Sequence, residues 1–206
     1  MYTPAHFAET RIEVMQQLMQ SHRLATIVHH GDGGRLDANH IPLLIDPSRG
    51  RFGTLVGHVA RANPLWREAT SEVLVIFQGP QAYITPSWYE SKQTHGKVVP
   101  TWNYAVVHAH GRLRAIDDPD WLRNHVTTMT AANEAARLAP WQVGDAPADY
   151  IATMLQAIVG IEIEITALTG KWKVSQNRSA EDRAGVAAGL AADGETAMAA
   201  AVQSKQ

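Results

Sequence analysis

The sequence contains no cysteine among its 206 residues. That absence excludes disulfide bonds, thiolate nucleophiles, cysteine-ligated zinc fingers and iron–sulfur clusters. The sequence also has no apolar run long enough to span a bilayer, and its N-terminus, "MYTPAHFAET", has no charged-then-apolar signal pattern. The expected location is therefore the cytoplasm, without membrane contact.

Charge is scarce and nearly balanced. Charged residues make up 18% of the chain, and the formal net charge is -2 at pH 7. A protein built mainly to grip nucleic acid usually has a clear basic excess, so the composition argues against that role, although a local basic patch or a dimer groove stays open. The hydrophobic content of 45% is enough for a folded core. We expect one domain, residues 1–206, with a C-terminal helical tail from about residue 179.

Several well-known catalytic and metal-binding patterns are missing. The sequence has no GxSxG, no Walker loop and no GxGxxG. His29 and His30 are neighbours on a predicted strand and point to opposite faces, whereas His108 and His110 share a face but have no carboxylate at matching spacing. We therefore expect no metal site.

The hydrophobic pattern predicts six or seven antiparallel strands with helices around them. The turns "GDGG" and "DPSRG" separate three β-rich segments that read as a meander. The predicted strands are Leu24–His29, Leu36–Ile45, Arg51–Val59, Glu72–Gln78 continued by Ala82–Thr85 past a bend at Gly79-Pro80, Val98–Ile116 and Val159–Leu168. The predicted helices are Thr10–Ser21, Asn63–Ala69, Pro119–Leu138, Ala148–Ala157 and Glu181–Ala192, followed by a frayed tail after Gly194. A small barrel with peripheral helices, an α+β fold that is mainly β, closes such strands without open edges.

An aromatic stretch, "SWYESKQTHGKVVPTWNY" at Ser87–Tyr104, carries more polar-tipped rings than a hairpin or a solvent loop needs. Two Trp, two Tyr and Asn103 around a glycine turn suit a slot for a flat heteroaromatic ligand. The same rings suit a cap at a barrel end or a contact with a partner subunit. The residues alone favour neither interpretation.

Two further stretches have residues that suit an anion. In "GHVARANP" at Gly57–Pro64, Arg61 lies where a strand feeds a helix, and a guanidinium beside a helix N-terminus suits a phosphate. An exposed arginine and a plain cap at Asn63 is the simpler interpretation of that motif. "GKWKVSQNRSAED" at Gly170–Asp182 has polar and basic groups that suit an anion or a ribityl-like chain, although a bland polar loop is the commoner explanation.

Five stretches in this order and spacing resemble the PaiB family of FMN-binding proteins, known as negative transcriptional regulators. They are "MYTPAHF", "ANHIPLLID" at Ala38–Asp46, "GTLVGHVARANPLW" at Gly53–Trp66, "FQGPQAYITPSWYESKQTHGKVVPTWNYAVVHAHGRL" at Phe77–Leu113, and "KWKVSQNR" at Lys171–Arg178. One departure is Thr85, where the family pattern leads us to expect Ser; it keeps the hydroxyl.

The resemblance implies an antiparallel FMN-binding split barrel like that of pyridoxamine-phosphate-oxidase-type flavoproteins. It also implies a tight homodimer with FMN at the subunit interface. Carried over to this sequence, the resemblance places His58, Arg61 and Asn63 beside the flavin. It places Ser87, Trp88, Tyr89 and Lys92 against the phosphate or the ring of the flavin. It places Thr101, Trp102 and Asn103 on the far wall, and Gln176 and Arg178 belong to the last matching motif. Arg61, Lys92 or Arg178 would supply the charge for the phosphate.

The resemblance implies a flavin-binding regulator of transcription that senses flavin or redox state, with DNA binding by family analogy only. The alternative is a flavin-dependent oxidoreductase acting on a small molecule, so whether the protein is an enzyme stays open. A haem-binding split barrel is the least favoured option, and the histidines of "VVHAHG" at Val106–Gly111 are its only support.

Overall fold

The computed structural model describes residues 1–69 and 72–204, and the strands of these ranges form one eight-stranded sheet. The strand order is β3-β2-β6-β7-β8-β5-β4, and β1 pairs with β8. The strands are β1 (Ala8–Glu9), β2 (Leu24–His30), β3 (Leu36–Pro42), β4 (Leu44–Asp46), β5 (Thr54–Ala60), β6 (Glu72–Ile84), β7 (Thr101–Ile116) and β8 (Ile158–Lys173).

Seven α-helices lie within the described ranges. They are α1 (Ile12–Ser21), α2 (Leu65–Glu68), α3 (Ser91–His95), α4 (Pro119–Glu134), α5 (Ala148–Gln156), α6 (Ala180–Ala192) and α7 (Thr196–Gln203). The two longest helices are capped by side chains: Asp118 accepts the amide of Trp121, and Ser179 accepts the amide of Asp182. In the part of the chain that the structure describes, no helix combines the length and the apolarity needed to cross a bilayer.

The chain divides into two compact units. The first unit contains residues 1–18, 78–108 and 169–206, and the second contains residues 19–77 and 109–168. Strands β6, β7 and β8 run through both.

In the second unit, two hairpins replace the predicted meander. Strand β2 pairs with β3 from Leu24 opposite Pro42 to His30 opposite Leu36, and β4 pairs with β5. The predicted strand Leu36–Ile45 is broken because Pro42 has no amide hydrogen for a ladder, and the next amide, that of Leu43, donates to the carbonyl of Arg23. The two hairpins therefore stand at opposite ends of the strand order.

Alternating burial shows which strand faces form the core. On β8, Ile161, Ile163 and Ile165 are buried and Glu164 is exposed. Glu162 departs from this alternation, because it is buried where Arg49 and Arg114 bind its carboxylate. On β6 the buried positions are odd-numbered up to Phe77 and even-numbered from Ala82. This phase change is what an extra residue at the predicted Gly79-Pro80 bend produces.

The C-terminal part of the first unit departs from the sequence prediction. Strand β8 continues to Lys173, so the first four residues of the supposed polar loop are strand. The tail that was expected to fray is helix α7, which packs on α6 and buries Met198, Ala199 and Val202. Small alanines allow this close packing, which the position of the segment at a chain end does not reveal.

Candidate functional site

Three cations gather at the end of β8 in the first unit. Lys171 and Lys173 are two residues apart on the strand and so share a face, and Arg178 follows in the next turn. We call these three residues the basic cluster. Lys171 is 8% exposed. None of the three forms an ion pair within 4.0 Å with a carboxylate of residues 1–69 or 72–204. A buried ammonium without an anionic partner is costly, so this arrangement favours an anion from outside the chain.

Lys173 is oriented by two acceptors on β7. Its Nζ donates to the hydroxyl of Thr101 and to the carbonyl of Trp102, the latter at 2.8 Å. Burial lowers the pKa of Lys173, Tyr104 opposes that effect, and the charges of Lys171 and Arg178 lower the pKa further. This repulsion indicates that Lys171 and Arg178 both lie near Lys173.

Lys171 lies among rings. Its Nζ donates to the carbonyl of Tyr2 at 3.1 Å and stands 5.2 Å from the ring centroid of Tyr104 and 5.8 Å from that of Tyr2. Such cation–π contacts stabilise an ammonium by about 0.5–2 kcal/mol but leave its charge uncompensated.

A tight turn carries Arg178. Ser175 has a positive φ of 64°, a conformation that costs a non-glycine residue about 1 kcal/mol or more. The side chain of Gln176 holds this turn, because its oxygen accepts the amide of Val174 at 2.7 Å and its nitrogen donates to the carbonyl of Trp172. The amide of Arg178 in turn donates to the carbonyl of Ser175 at 2.9 Å. Gln176, predicted as a cofactor contact, thus shapes the loop.

Two buried polar atoms beside this turn have no hydrogen-bond partner among the described residues. One is Oδ1 of Asn103, whose amide nitrogen donates to the Ser175 hydroxyl at 2.9 Å. The other is the hydroxyl of Tyr89, whose ring lies 4.7 Å from the Arg178 guanidinium carbon. Burial raises the pKa of Tyr89, and the charge of the Arg178 guanidinium and its approach to the phenol oppose that effect, so the phenol stays neutral. Unpaired buried polar atoms cost about 1–3 kcal/mol each, so a ligand that pairs them gains affinity.

Helix α6 fixes the segment that carries Ser87, Trp88 and Lys92. The carboxylate of Asp182 accepts the amide of Ser91 at 2.9 Å and its hydroxyl at 2.8 Å. The ring of Trp88 lies against Gly189, where an added Cβ would come 2.3 Å from Cε2 of the indole. Lys92 donates to the hydroxyl of Ser87 at 3.2 Å and is exposed.

An open cleft of about 440 Å³ lies in the first unit along β6 and β7. We call it the aromatic cleft; its lining is Met1, Gln78, Gly79, Gln81, Trp102, Tyr104, Ala105, Val106 and His108. Tyr104, which borders Lys171, and Trp102, whose carbonyl binds Lys173, join it to the basic cluster. Trp102 is 55% exposed and meets Tyr83 edge to face at 6.1 Å.

Arg61 lies in the second unit and already has four acceptors. Its guanidinium binds both oxygens of Asp117, at 2.8 and 2.6 Å, and the carbonyls of Gln156 and Ile158, at 2.7 and 3.0 Å. The pair with Asp117 raises the pKa of Arg61 and lowers that of Asp117. These contacts neutralise the charge that a phosphate would need.

His58 and Asn63 are the other predicted residues of the second unit. Nδ1 of His58 shares a hydrogen bond with Nε2 of His125 at 3.0 Å. Oδ1 of Asn63 accepts the amide of Leu65 at 2.9 Å, and its nitrogen donates to Oδ1 of Asn39 at 2.8 Å. The Asn63 side chain therefore binds the first amide of α2, but the N-cap position itself is Pro64.

The structure brings nine predicted site residues into the first unit and leaves His58, Arg61 and Asn63 in the second. Lys171 and Lys173 belong to a motif that was expected to suit an anion, but as part of a loop and not among the predicted cofactor contacts. The signal that could have found them is their spacing of two in "KWK", which puts both ammonium groups on one face of a strand. No comparable spacing in the sequence indicates that His125 is a functional residue.

Comparison with known proteins gives consistent results. The family model described as "Putative FMN-binding domain" matches residues 1–167. An uncharacterized protein of Emericella nidulans is 35% identical over 92% of this chain and 90% of its own length. The Bacillus subtilis protein called "Protease synthase and sporulation protein PAI 2" is 34% identical over 88% of this chain and 85% of its own.

Solved structures show the fold. The FAD and heme binding protein from Mycobacterium smegmatis superposes with a TM-score of 0.59 at 17% identity, over 81% of this chain and 73% of that one. The predicted fold class, an antiparallel split barrel with peripheral helices, is thus confirmed.

Proposed function

The chain belongs to the PaiB family of FMN-binding proteins, which confirms the predicted cofactor, and from this premise we propose that the basic cluster holds the FMN phosphate. The observation that carries the proposal is a set of three neighbouring cations without a carboxylate partner in the described chain. Two unpaired buried polar atoms, on Tyr89 and Asn103, adjoin the same turn.

The residues fit the chemistry of FMN part by part. A phosphate dianion is bound best by charge-assisted donors, and Lys171, Lys173 and Arg178 provide them. Asn103 and Tyr89 suit ribityl hydroxyls, because a hydroxyl can both donate to Oδ1 and accept from the phenol. Arg61 is less suited to the phosphate, since Asp117 and two carbonyls already accept from its guanidinium.

The aromatic cleft suits the flavin ring. Its volume of about 440 Å³ lies within the range of small-molecule sites, and Trp102 and Tyr104 offer flat apolar surface. Bound FMN supplies electron or hydride transfer, so the protein needs no nucleophile of its own. The proposed cofactor contacts remain His58, Arg61, Asn63, Ser87, Trp88, Tyr89, Lys92, Thr101, Trp102, Asn103, Gln176 and Arg178, joined by Lys171 and Lys173.

We further propose a homodimer with the flavin at the subunit interface. Its support is a set of large apolar side chains of the first unit that are exposed in the single chain. They are Met1, Tyr2, Tyr83, Val99 and Trp102. Apolar and aromatic surface of this kind is typical of the buried core of homodimer interfaces.

The proposed biological role is negative regulation of transcription in response to flavin or redox state. Its support is the membership of the PaiB family, and the Bacillus subtilis relative is named for protease synthesis and sporulation. Direct binding to DNA is a proposal by analogy, and the protein's site chemistry does not require it.

Flavin-dependent oxidoreduction of a small molecule is the second candidate. The hydrogen-bonded pair of His58 and His125 favours it, because burial lowers the pKa of both histidines and neutral imidazoles can move protons.

Two measurements separate these roles. The absorption spectrum of purified protein with added FMN should show bound flavin, and a Soret band would instead identify haem. FMN-loaded protein that oxidises NAD(P)H or reduces a dye is an oxidoreductase; protein that does neither, but shifts a promoter fragment at physiological salt, is a regulator. A shift that vanishes at modest salt would count as non-specific attraction.

A further inference from the structure

A cavity of about 390 Å³ lies in the second unit between α4 and the hairpin of β4 and β5. We call it the α4 cavity. Its lining is Leu44, Ile45, Asp46, Pro47, Arg49, Val56, Trp121, Asn124, His125, Thr128 and Glu162. None of the twelve predicted flavin contacts belongs to this set, although one of them, His58, is hydrogen-bonded to the lining residue His125.

One wall of the α4 cavity is a pair of stacked aromatic rings. The rings of Trp121 and His125 stack with centroids 5.2 Å apart and planes 17° from parallel. Trp121 is seated on β8 at Gly160, where an added Cβ would lie 2.2 Å from Cζ3 of the indole. Gly160 is the register partner of His58, which is hydrogen-bonded to His125. Packing from two strands therefore fixes the wall before any ligand arrives.

His125 is a neutral polar group in this wall. It is 5% exposed, and burial, followed by the charge of His58, lowers its pKa to about 4. At neutral pH the imidazole is therefore uncharged and can take part in a hydrogen bond. A buried group with a perturbed pKa in the wall of a cavity is a common mark of a ligand site.

The charges around the cavity compensate one another. Arg49 binds Glu162 through two hydrogen bonds of 2.7 and 2.8 Å, and Arg114 binds the same carboxylate at 2.6 Å. Asp46 accepts the amide and the hydroxyl of Ser48 at 3.0 and 2.6 Å. The one cation of the lining is thus already engaged, and a negatively charged ligand would find no free partner.

We propose that the α4 cavity binds a small, uncharged, planar aromatic molecule that packs against the Trp121–His125 pair and accepts or donates a hydrogen bond at Asn124 or His125. Aliphatic side chains of β4 and β5 form the opposite wall. This proposal does not rest on FMN binding by the first unit, and it gives the protein a second ligand: an effector for a regulator or a substrate for an oxidoreductase.

The test is calorimetric titration of full-length protein with quinoline at pH 7.5, compared with the anion quinoline-2-carboxylate. We expect quinoline to bind about tenfold more tightly or better, since the lining has no free cation for the carboxylate. Equal affinities, or no heat with either compound at millimolar concentration, would overturn the proposal. Displacement of quinoline by FMN would overturn it too, because it would place the flavin in this cavity.

Two neighbouring threonines of α4 provide a matched pair of variants. Thr128 lines the α4 cavity, whereas Thr127 faces a different hollow, and each hydroxyl donates to the carbonyl four residues earlier. Both are exposed, so phenylalanine is tolerated at either position. Thr128→Phe should abolish quinoline binding and Thr127→Phe should leave it unchanged. Equal binding by the two variants would show that the cavity is not the site.

Discussion

Glu162 is a carboxylate that two arginines hold ionised inside the second unit. Its side chain is 6% exposed, and the hydrogen bonds of Arg49, helped by Arg114, lower its pKa to about 2 against the opposing effect of burial. The folded-state pKa is below the unfolded value of 4.5. The stabilisation is therefore present above pH 4.5 and is lost as the pH falls towards 2.

Glu162→Gln should lower the free energy of unfolding at pH 7 by about 1–2 kcal/mol, because two guanidinium groups lose their counter-charge. Both arginines are partly exposed, which limits the cost. Urea unfolding at pH 7 and pH 3 measures the effect, and the difference from wild type should shrink at pH 3. Glu164→Gln, at an exposed position of the same strand, is the control; a loss as large as that of Glu162→Gln would contradict the assignment.

At the scale of secondary-structure elements, helix α6 holds part of the proposed flavin site in place. Asp182 of this helix accepts a hydrogen bond from the amide of Ser91, and the ring of Trp88 packs against Gly189. Its close approach depends on the absence of a side chain at position 189. The helix therefore positions the segment with Ser87 and Lys92, although it contributes no proposed ligand contact itself.

Gly189→Ala should destabilise the protein by about 1–2 kcal/mol, although alanine favours a helix by about 1 kcal/mol, because the methyl group overlaps the Trp88 indole. Thermal unfolding measures stability, and tryptophan fluorescence reports the displaced ring. Gly144→Ala is the control, since an added Cβ there meets nothing within 4 Å. An unchanged melting temperature for Gly189→Ala would show that Gly189 and the Trp88 indole are not in close contact.

Most helices and strands could be predicted from periodicity and caps, as α4 and β2 show. The errors have physical causes. Pro42 interrupts a hydrophobic pattern that otherwise predicts one strand, Leu36–Ile45. The part of the chain after Pro42 forms β4, which pairs with β5. The alanine-rich segment of α7 forms a stable helix only because α6 covers Met198 and Val202, and no local pattern reveals that partner.

At the scale of the whole molecule, the proposed homodimer follows from exposed rings. Light scattering after gel filtration should give twice the chain mass of 22.5 kDa. Trp102→Asp should shift the protein to a monomer, because a charge at an interface core is costly to bury. Tyr150→Asp is the control, since Tyr150 is also 55% exposed but belongs to the other unit. A wild-type monomer, or a Trp102→Asp dimer, would contradict the proposed interface.

The candidate site was predictable in part. The motifs and the family resemblance supplied Arg178, Asn103 and Tyr89, whose contacts now support the proposal. That Lys171 and Lys173 lie on one face of a strand could be seen only once β8 was known to extend to Lys173. That Asp117 engages Arg61 could not be foreseen, because an ion pair between distant positions leaves no trace in local spacing.

The comparison of FMN with riboflavin tests the central claim most directly, because the two differ only in the phosphate. Fluorescence titration of wild-type protein should give a dissociation constant for FMN about tenfold or more below that for riboflavin. Lys173→Met and Arg178→Met should each weaken FMN binding by about tenfold and leave riboflavin nearly unchanged, whereas the exposed control Lys97→Met should alter neither. Equal affinity of the wild type for both flavins, or equal losses for both in the two variants, would contradict a phosphate site at the basic cluster.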